Sequence, residues 1–259
     1  MTSTQRLPIL RQEDGRFVPA ADDFAQESYI ALTSEAGHDV SLLATPDDLE
    51  AFAIGHALSE GWWDGQGPLP SVTLSTEAHG YAATLHGAST WGPLRESRMI
   101  HPSCGGCGDL MVSPPPGHRL ATDACLDPTL LTAFLDDMKS KQPVFGATGG
   151  VHAAALMAGP DLWVVKEDIG RHTAVDKAIG AWLLQHRTAR PSALLLSGRC
   201  GWDLMAKAVR AGIGQVACVG AISAAAAHLA RDHGILVMGF ATSRHPQFVG
   251  PWSAAAGKA

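Results

Sequence analysis

Two four-residue apolar runs, Ala193-Leu194-Leu195-Leu196 and Ile235-Leu236-Val237-Met238, constrain this chain most. A run with no polar alternation leaves no face for water, so each reads as a strand covered on both sides. Around them the pattern changes to helical spacing. Helices are expected over residues 169–185, 202–211 and 223–233, with a further strand over 216–219. Residues 151–157 and 162–166 read as two strands joined by the turn formers Gly159-Pro160-Asp161. Asp127-Pro128 opens a helix that places Leu131, Phe134, Leu135 and Met138 on one side. Strands alternating with helices predict a layered α/β fold with a mostly parallel sheet.

That reading carries a functional expectation. Open α/β sheets bind ligands beyond the carboxyl ends of their parallel strands. Here those ends are followed by Glu167-Asp168, Ser197-Gly198-Arg199, Gly220-Ala221 and Ala241-Thr242-Ser243-Arg244. If the strands run parallel, the four segments form one rim of acids, arginines, hydroxyls and small residues. Arginine forks match phosphate oxygens and glycine admits close backbone approach, so the rim suits a polar, phosphate-bearing ligand.

The first half is organised differently. Residues 1–28 are polar and read as loose at the very end. Thr45-Pro46-Asp47-Asp48 reads as a helix start with Thr45 as cap, and Gly61 as its stop. Residues 71–89 alternate about Gly80, as in a hairpin. Pro114-Pro115-Pro116-Gly117 marks a linker. The chain thus divides into a smaller N-terminal α+β domain, residues 1–118, and a C-terminal three-layer α/β/α domain, residues 119–259.

Composition removes several classes of function. A formal charge of -6 and a pI near 6.0 give no electrostatic footprint for nucleic acid. No stretch approaches the roughly 20 apolar residues of a membrane span, and the start has no signal-peptide pattern. Five cysteines, an odd number at low density, do not form a disulfide scaffold, so a reducing cytoplasm is the expected compartment.

Cys104 and Cys107 stand in His101-Pro102-Ser103-Cys104-Gly105-Gly106-Cys107-Gly108, a segment of glycine and turn formers. A CxxC thiol can have a depressed pKa, and its thiolate attacks sulfur or binds metal. Structural zinc needs four ligands and only one such pair is present, although zinc shared across a dimer stays open. A thioredoxin-like site would open a helix directly after a strand, which these glycines oppose. A zinc deaminase would need a His-x-Glu or Cys-x-Glu, and the sequence has neither. No metal-ligand set is therefore assigned.

Two further segments bear on chemistry. In Glu167-Asp168-Ile169-Gly170-Arg171-His172-Thr173-Ala174-Val175-Asp176-Lys177, Asp168 reads as a cap and His172 with Asp176 as an i,i+4 pair. Arg171, His172 and Lys177 so near a strand end point to a site. Thr148-Gly149-Gly150-Val151-His152 is, taken alone, more often a turn than a phosphate cradle. Among the other thiols, Cys200 is the strongest candidate for a second reactive one.

Taken together, these motifs resemble the FdhD family of formate dehydrogenase accessory sulfurtransferases, over residues 27–245. The resemblance is carried by the early helix ending Leu58-Ser59-Glu60-Gly61, Ser103 to Gly108, Thr148 to Ala154, Glu167 to His172 with Asp176-Lys177, and Ser197-Gly198-Arg199. It implies a cytoplasmic homodimer with a cytidine-deaminase-like C-terminal fold lacking zinc. It also implies a sulfur relay. A cysteine desulfurase loads a persulfide onto Cys104, with Cys107 assisting. The sulfur then passes to the molybdenum of bis-molybdopterin guanine dinucleotide, which goes to the catalytic subunit of formate dehydrogenase.

Phe240, Ala241, Thr242, Ser243, Arg244 and His245 would contact the guanine dinucleotide part. Gly149, Gly150, His152, Asp168, Arg171, His172, Ser197 and Arg199 would complete the cofactor site, and GDP would serve as an analogue. The chain departs from the family pattern at Thr173, Gly201 and Asp203, in the turn Gly220-Ala221-Ile222-Ser223, and in a shortened tail. A cofactor-escorting chaperone that donates no sulfur is the alternative function. A pure chaperone needs no thiols, so the intact cysteine pair favours the relay.

Overall fold

The computed structural model describes residues 2–94, 98–100 and 126–251. Cys104, Cys107, Cys125, the linker at 114–117 and the 118/119 division lie outside the described residues.

The two apolar runs lie in one six-stranded sheet, with a single strand between them. Its strands are β8 (His152–Met157), β9 (Trp163–Asp168), β10 (Ala193–Leu196), β11 (Gln215–Cys218), β12 (Leu236–Gly239) and β13 (Gln247–Val249), in the spatial order β13-β12-β11-β10-β8-β9. Alternate residues face opposite layers. Leu194 and Leu196 pack with the buried faces of α4 (Arg171–Gln185), α5 (Trp202–Arg210) and α6 (Ala224–Asp232), whereas Ala193 and Leu195 pack with Leu131, Leu135 and Met138 of α2 (Pro128–Met138). Strands so covered keep no polar face, as their sequences require.

The sheet is mixed rather than mostly parallel. β10 pairs in parallel with β11, and β11 with β12, but β8, β9 and β13 join antiparallel to their neighbours. The tight turn at Gly159 forces β8 and β9 to run opposite ways, which the sequence already implied. β9 nevertheless points the same way as β10, because two reversals separate them. The carboxyl ends of β9, β10, β11 and β12 therefore share one edge, joined there by the start of β8.

The helix capping follows local chemistry. Asp127 accepts the Thr129 N–H at 2.7 Å and Pro128 occupies the first turn of α2. Ser223 accepts the Ala226 N–H at 3.1 Å at the start of α6. A short helix α3 (Pro143–Thr148), which the sequence pattern did not announce, is held from outside: both Glu167 carboxylate oxygens accept its first N–H groups, from Val144 at 3.0 Å and Phe145 at 2.8 Å.

From Thr4 onward the N-terminal segment forms strands. β1 (Thr4–Glu13) and β2 (Arg16–Ala25) form an antiparallel hairpin around Asp14 and Gly15, whose φ angles are 48° and 77°. Asp-Gly is the preferred two-residue turn where both residues need positive φ, so the polar composition concealed a hairpin signal. β3 (Ser28–Ser34), β4 (Asp39–Ala44), β5 (Ser71–Glu77), β6 (Gly80–His86) and β7 (Arg98–Ile100) form a second sheet, ordered β5-β6-β3-β4-β7. The β5–β6 hairpin about Gly80 is as expected.

Helix α1 (Leu49–Ser59) packs on this sheet and crosses α4 at backbone contact. A Cβ on Gly180 would lie 1.7 Å from the Ala51 carbonyl oxygen, and one on Gly55 would lie 1.8 Å from that of Asp176. Thr45 does not cap α1. Its N–H goes to Asp168 at 3.1 Å, its hydroxyl accepts the Ile169 N–H at 3.1 Å, and Asp48 takes the cap position at φ 50° without a side-chain bond. The acids of this segment serve ion pairs instead: Lys177 binds Asp47, and Lys166 binds Asp48 at 2.8 Å.

Candidate functional site

The rim is assembled by strand ends and by helices that begin beside them. Chain exits at Asp168, Leu196, Cys218 and Gly239 bring Arg171, Ser197, Arg199 and Phe240 to one edge, with His152 at the start of β8. Close approach sets their places. A Cβ on Gly220 would meet Arg199 Cγ at 2.8 Å and its Cα at 3.1 Å, so the missing side chain lets the Arg199 turn lie against β11's exit. Gly198 likewise faces the His152 ring, 3.4 Å from where its Cβ would be.

The charge on this edge is mostly positive. His152, Arg171, His172 and Arg199 interact through space. Partial burial, then the charges of Arg171, His172 and Arg199, hold the His152 pKa below its ordinary value, so it stays neutral at neutral pH. The local acid is Asp203, in the first turn of α5. Its carboxylate bonds the His172 ring and lies 3.8 Å from Arg171 Nη2, and its other oxygen accepts the Leu204 N–H at 2.9 Å. Burial works to raise the Asp203 pKa, but the bond and charge of His172 prevail and hold it at about 2. Gly201 leaves room for this arrangement, since a Cβ there would lie 2.6 Å from Asp203 Oδ1.

One donor is left over. Arg171 Nε is buried and has no hydrogen-bond partner among the described residues. A buried unpaired donor costs about 1–3 kcal/mol, so such a group in a native fold calls for a partner. An anion on this edge would supply one.

Several expected site residues take other places. Asp168 is fully buried. It accepts from Lys177 at 2.8 Å, from Thr45 N–H and from Gly170 N–H at 2.7 Å, so it ties the frame together and does not face a ligand. Burial pushes its pKa up to about 6 despite Lys177. Lys177 is equally buried and is structural. Asp176 does not pair with His172: it is buried against His56 and Lys207, while His172 turns to Asp203. Ala241 is buried in the core beneath α2, whereas Thr242, Ser243, Arg244 and His245 are exposed.

Phe240 holds a left-handed turn at φ 48°. Gly149 caps α3 at φ 64°, and Gly150 lies exposed beside it. Ser197 makes no hydrogen bond with the rim's cations among the described residues; its oxygen accepts the Ala153 N–H at 2.8 Å. Cys200 is no reactive thiol. It is buried, and desolvation drives its pKa far above the ordinary thiol value. Asp203, which the sequence marks only as a departure from the family pattern, is the acid of the rim, set at a helix start beside a strand exit.

Among the described residues no group of three or more His, Cys, Asp or Glu side chains could hold a metal, and no helix is long and apolar enough to cross a membrane. The edge defines a class: a mixed α/β protein whose strand exits gather Arg171, His172 and Arg199 about one acid, Asp203, with one guanidinium donor left without a partner among the described residues.

Comparison narrows the class. The FdhD/NarQ family model matches residues 25–249. The sulfur carrier protein FdhD of Cupriavidus necator is 31% identical over 255 residues, covering 92% of this chain and 88% of its own. That of Xanthomonas euvesicatoria pv. vesicatoria is also 31% identical, covering 92% and 90%. The crystal structure of a chain assigned as a formate dehydrogenase accessory protein from Desulfotalea psychrophila superposes with a TM-score of 0.72 at 19% identity, over 98% of this chain and 99% of that one. This chain belongs to the FdhD/NarQ family.

Proposed function

We propose that the protein is a sulfur carrier serving formate dehydrogenase, acting as a cytoplasmic homodimer. A cysteine desulfurase presents a persulfide, and the Cys104 thiolate attacks its terminal sulfur. A new S–S bond forms on Cys104 and the desulfurase cysteine leaves as thiolate. The Cys107 thiolate assists by attacking Cys104 Sγ: a Cys104–Cys107 disulfide closes, the persulfide S–S bond breaks, and the outer sulfur leaves as sulfide, which replaces an oxygen ligand (lost as water) on the molybdenum of bis-molybdopterin guanine dinucleotide, the substrate held on the rim; a thiol reductant reopens the disulfide. The loaded cofactor goes to the catalytic subunit of formate dehydrogenase.

The observation that carries this reading is the cation cluster with its unpaired Arg171 Nε, since the ligand brings diphosphates. Arg171 and Arg199 would hold phosphate oxygens in their forks, and Asp203 fixes His172 beside them. Family membership, and the sulfur-carrier names of relatives such as that of Cupriavidus necator, support the sulfur step.

Intact-protein mass spectrometry after incubation with a cysteine desulfurase and cysteine tests the relay. One added sulfur is expected on the wild type and none on Cys104→Ser. An unmodified wild type would leave the escorting chaperone as the better account. For the rim, Arg171→Ala is expected to weaken GDP binding about tenfold or more, and unchanged affinity would remove it from the site.

A further inference from the structure

The five-stranded sheet has one long bare edge. Its outermost strand β5, Ser71-Val72-Thr73-Leu74-Ser75-Thr76-Glu77, pairs with β6 along its whole length. Among the described residues no other segment bonds its backbone. An open edge is a template for a further strand, and natural sheets blunt it with lysine, proline, a bulge or a very short strand. β5 uses none of these: it has no lysine or proline, its register is unbroken, and every residue but Val72 is exposed. By contrast, the edge strands β7 and β13 have only 3 residues each.

A cavity of about 430 Å³ lies against this edge. Leu74 stands on the α1 side of the sheet, opposite the buried Ala83, yet it is 44% exposed. Leu184 of α4, 41% exposed, lines the same cavity. The remaining wall is acidic. Asp47, Asp48 and Glu50 line it with one cation, Lys166. Lys166 is bound to Asp48 at 2.8 Å and Asp47 is bound to Lys177, whereas Glu50 forms no ion pair among the described residues.

An added strand would use both features. Its main chain would bond the open edge, and every second side chain would face the α1 side, where the cavity lies. A side chain beside Leu74 would fill the space between the two leucines, and the next one on that face would meet the acids. A second copy's β5 is a poor occupant, because its one charge, Glu77, is negative like the wall.

We propose that β5 is a docking edge for an extended segment of another protein that carries an apolar and a basic side chain on one face. The apolar group sits between Leu74 and Leu184, and the basic group meets Glu50. Main-chain bonds supply affinity and the cavity supplies selection. The rim takes no part, so this proposal and the relay stand or fall separately.

The test uses the full chain and a fluorescein-labelled peptide, acetyl-Thr-Val-Thr-Leu-Thr-Lys-Thr-amide, followed by anisotropy. The peptide is expected to bind the wild type. Leu74→Lys should weaken it about 10-fold or more, the scale of one buried leucine-sized side chain. The same peptide with glutamate for lysine should bind about 5-fold more weakly, as for an exposed ion pair turned repulsive, and Glu50→Gln should narrow that gap. Both altered side chains are exposed, so the urea midpoint of each variant should match the wild type. Bound peptide should also slow amide exchange over residues 71–77 several-fold, which contact through side chains alone would not do.

A peptide that does not bind, that binds without slowing exchange over 71–77, or that binds Leu74→Lys as it binds the wild type overturns the proposal. So does a wild-type dimer, seen by sedimentation, that Leu74→Lys dissociates, because the edge would then belong to a second copy. A dimer that survives Leu74→Lys while the peptide binds the wild type places the subunit contact elsewhere and supports the proposal.

Discussion

Removing the charge of Asp176 while keeping its shape should cost about 3 kcal/mol. Asp176 lies between α1, α4 and α5 with 3% of its side chain exposed, and Lys207 is equally hidden. Its carboxylate accepts from Lys207 Nζ at 2.7 and 3.0 Å, from Ser59 Oγ at 2.5 Å and bonds His56 Nδ1 at 3.0 Å. Asp176→Asn leaves the Lys207 ammonium with Glu60, at 2.6 Å, as its remaining anion. Breaking one side of a buried pair costs roughly 3–5 kcal/mol, and Glu60 moderates the loss toward the lower figure. With a urea m-value of about 3 kcal/mol/M, the unfolding midpoint should fall by about 1 M. Lys207→Met should cost a similar amount, and the double variant far less than the sum, with a coupling energy of about 2 kcal/mol.

The pH dependence has a definite sign. Lys207 and His56 outweigh burial and hold the Asp176 pKa at about 2 against an ordinary 3.8. A depressed carboxylate adds stability that is complete above the unfolded value and is lost as pH falls through the folded one, here about 2 kcal/mol between pH 3.8 and 2. Wild type and Asp176→Asn should therefore converge in that window. Single variants costing under about 1 kcal/mol with additive effects, or a stability gap that ignores pH, would refute the reasoning.

Other outcomes follow from single contacts. Gly180→Ala should destabilise by about 3 kcal/mol or more in the same urea assay, since its Cβ would sit 1.7 Å from the Ala51 carbonyl oxygen and the two helices must part. Glu167→Gln removes the charged acceptor for the first N–H groups of α3, so amide exchange over residues 143–148 should quicken several-fold with little change in global stability. Cys200 and Cys218 are buried with raised pKa values, so peptide-level iodoacetamide mapping at pH 8 should label both only after denaturation; labelling of the native protein would contradict their placement.

Much of the six-stranded sheet's order was legible because two of its strands carry unmixed apolar runs and α2 opens on Asp127-Pro128. Ala193–Leu196 appears with the expected bounds, Asp127 caps as expected, and Ser223, read as the first residue of its helix, is its cap. What escaped depends on distant partners. Nothing local says that Thr45 will give its N–H to Asp168, 123 residues away, so a good capping sequence fails to cap. The Asp14-Gly15 turn was visible, but polar strands with little burial gave no alternation to flank it. The rim was legible as a set of strand exits. Which of its acids face the ligand was not, because only burial separates Asp168 from Asp203.

Helix α4 explains why site and frame cannot be separated. Its first turn presents Arg171 and His172 on the rim, and its second buries Asp176 and Lys177 in ion pairs with α1, α5 and the segment before α1. Rim and frame thus lie one turn apart, about 5.4 Å along one rigid helix. The Gly55 and Gly180 contacts fix that helix against α1 at backbone distance, so the rim cations take their positions from the buried network. A change in the network would displace α4 and, with it, the rim cations of its first turn. Activity losses from variants at Asp176, Lys177 or Lys207 therefore need a stability measurement beside them before any of the three is given a chemical role.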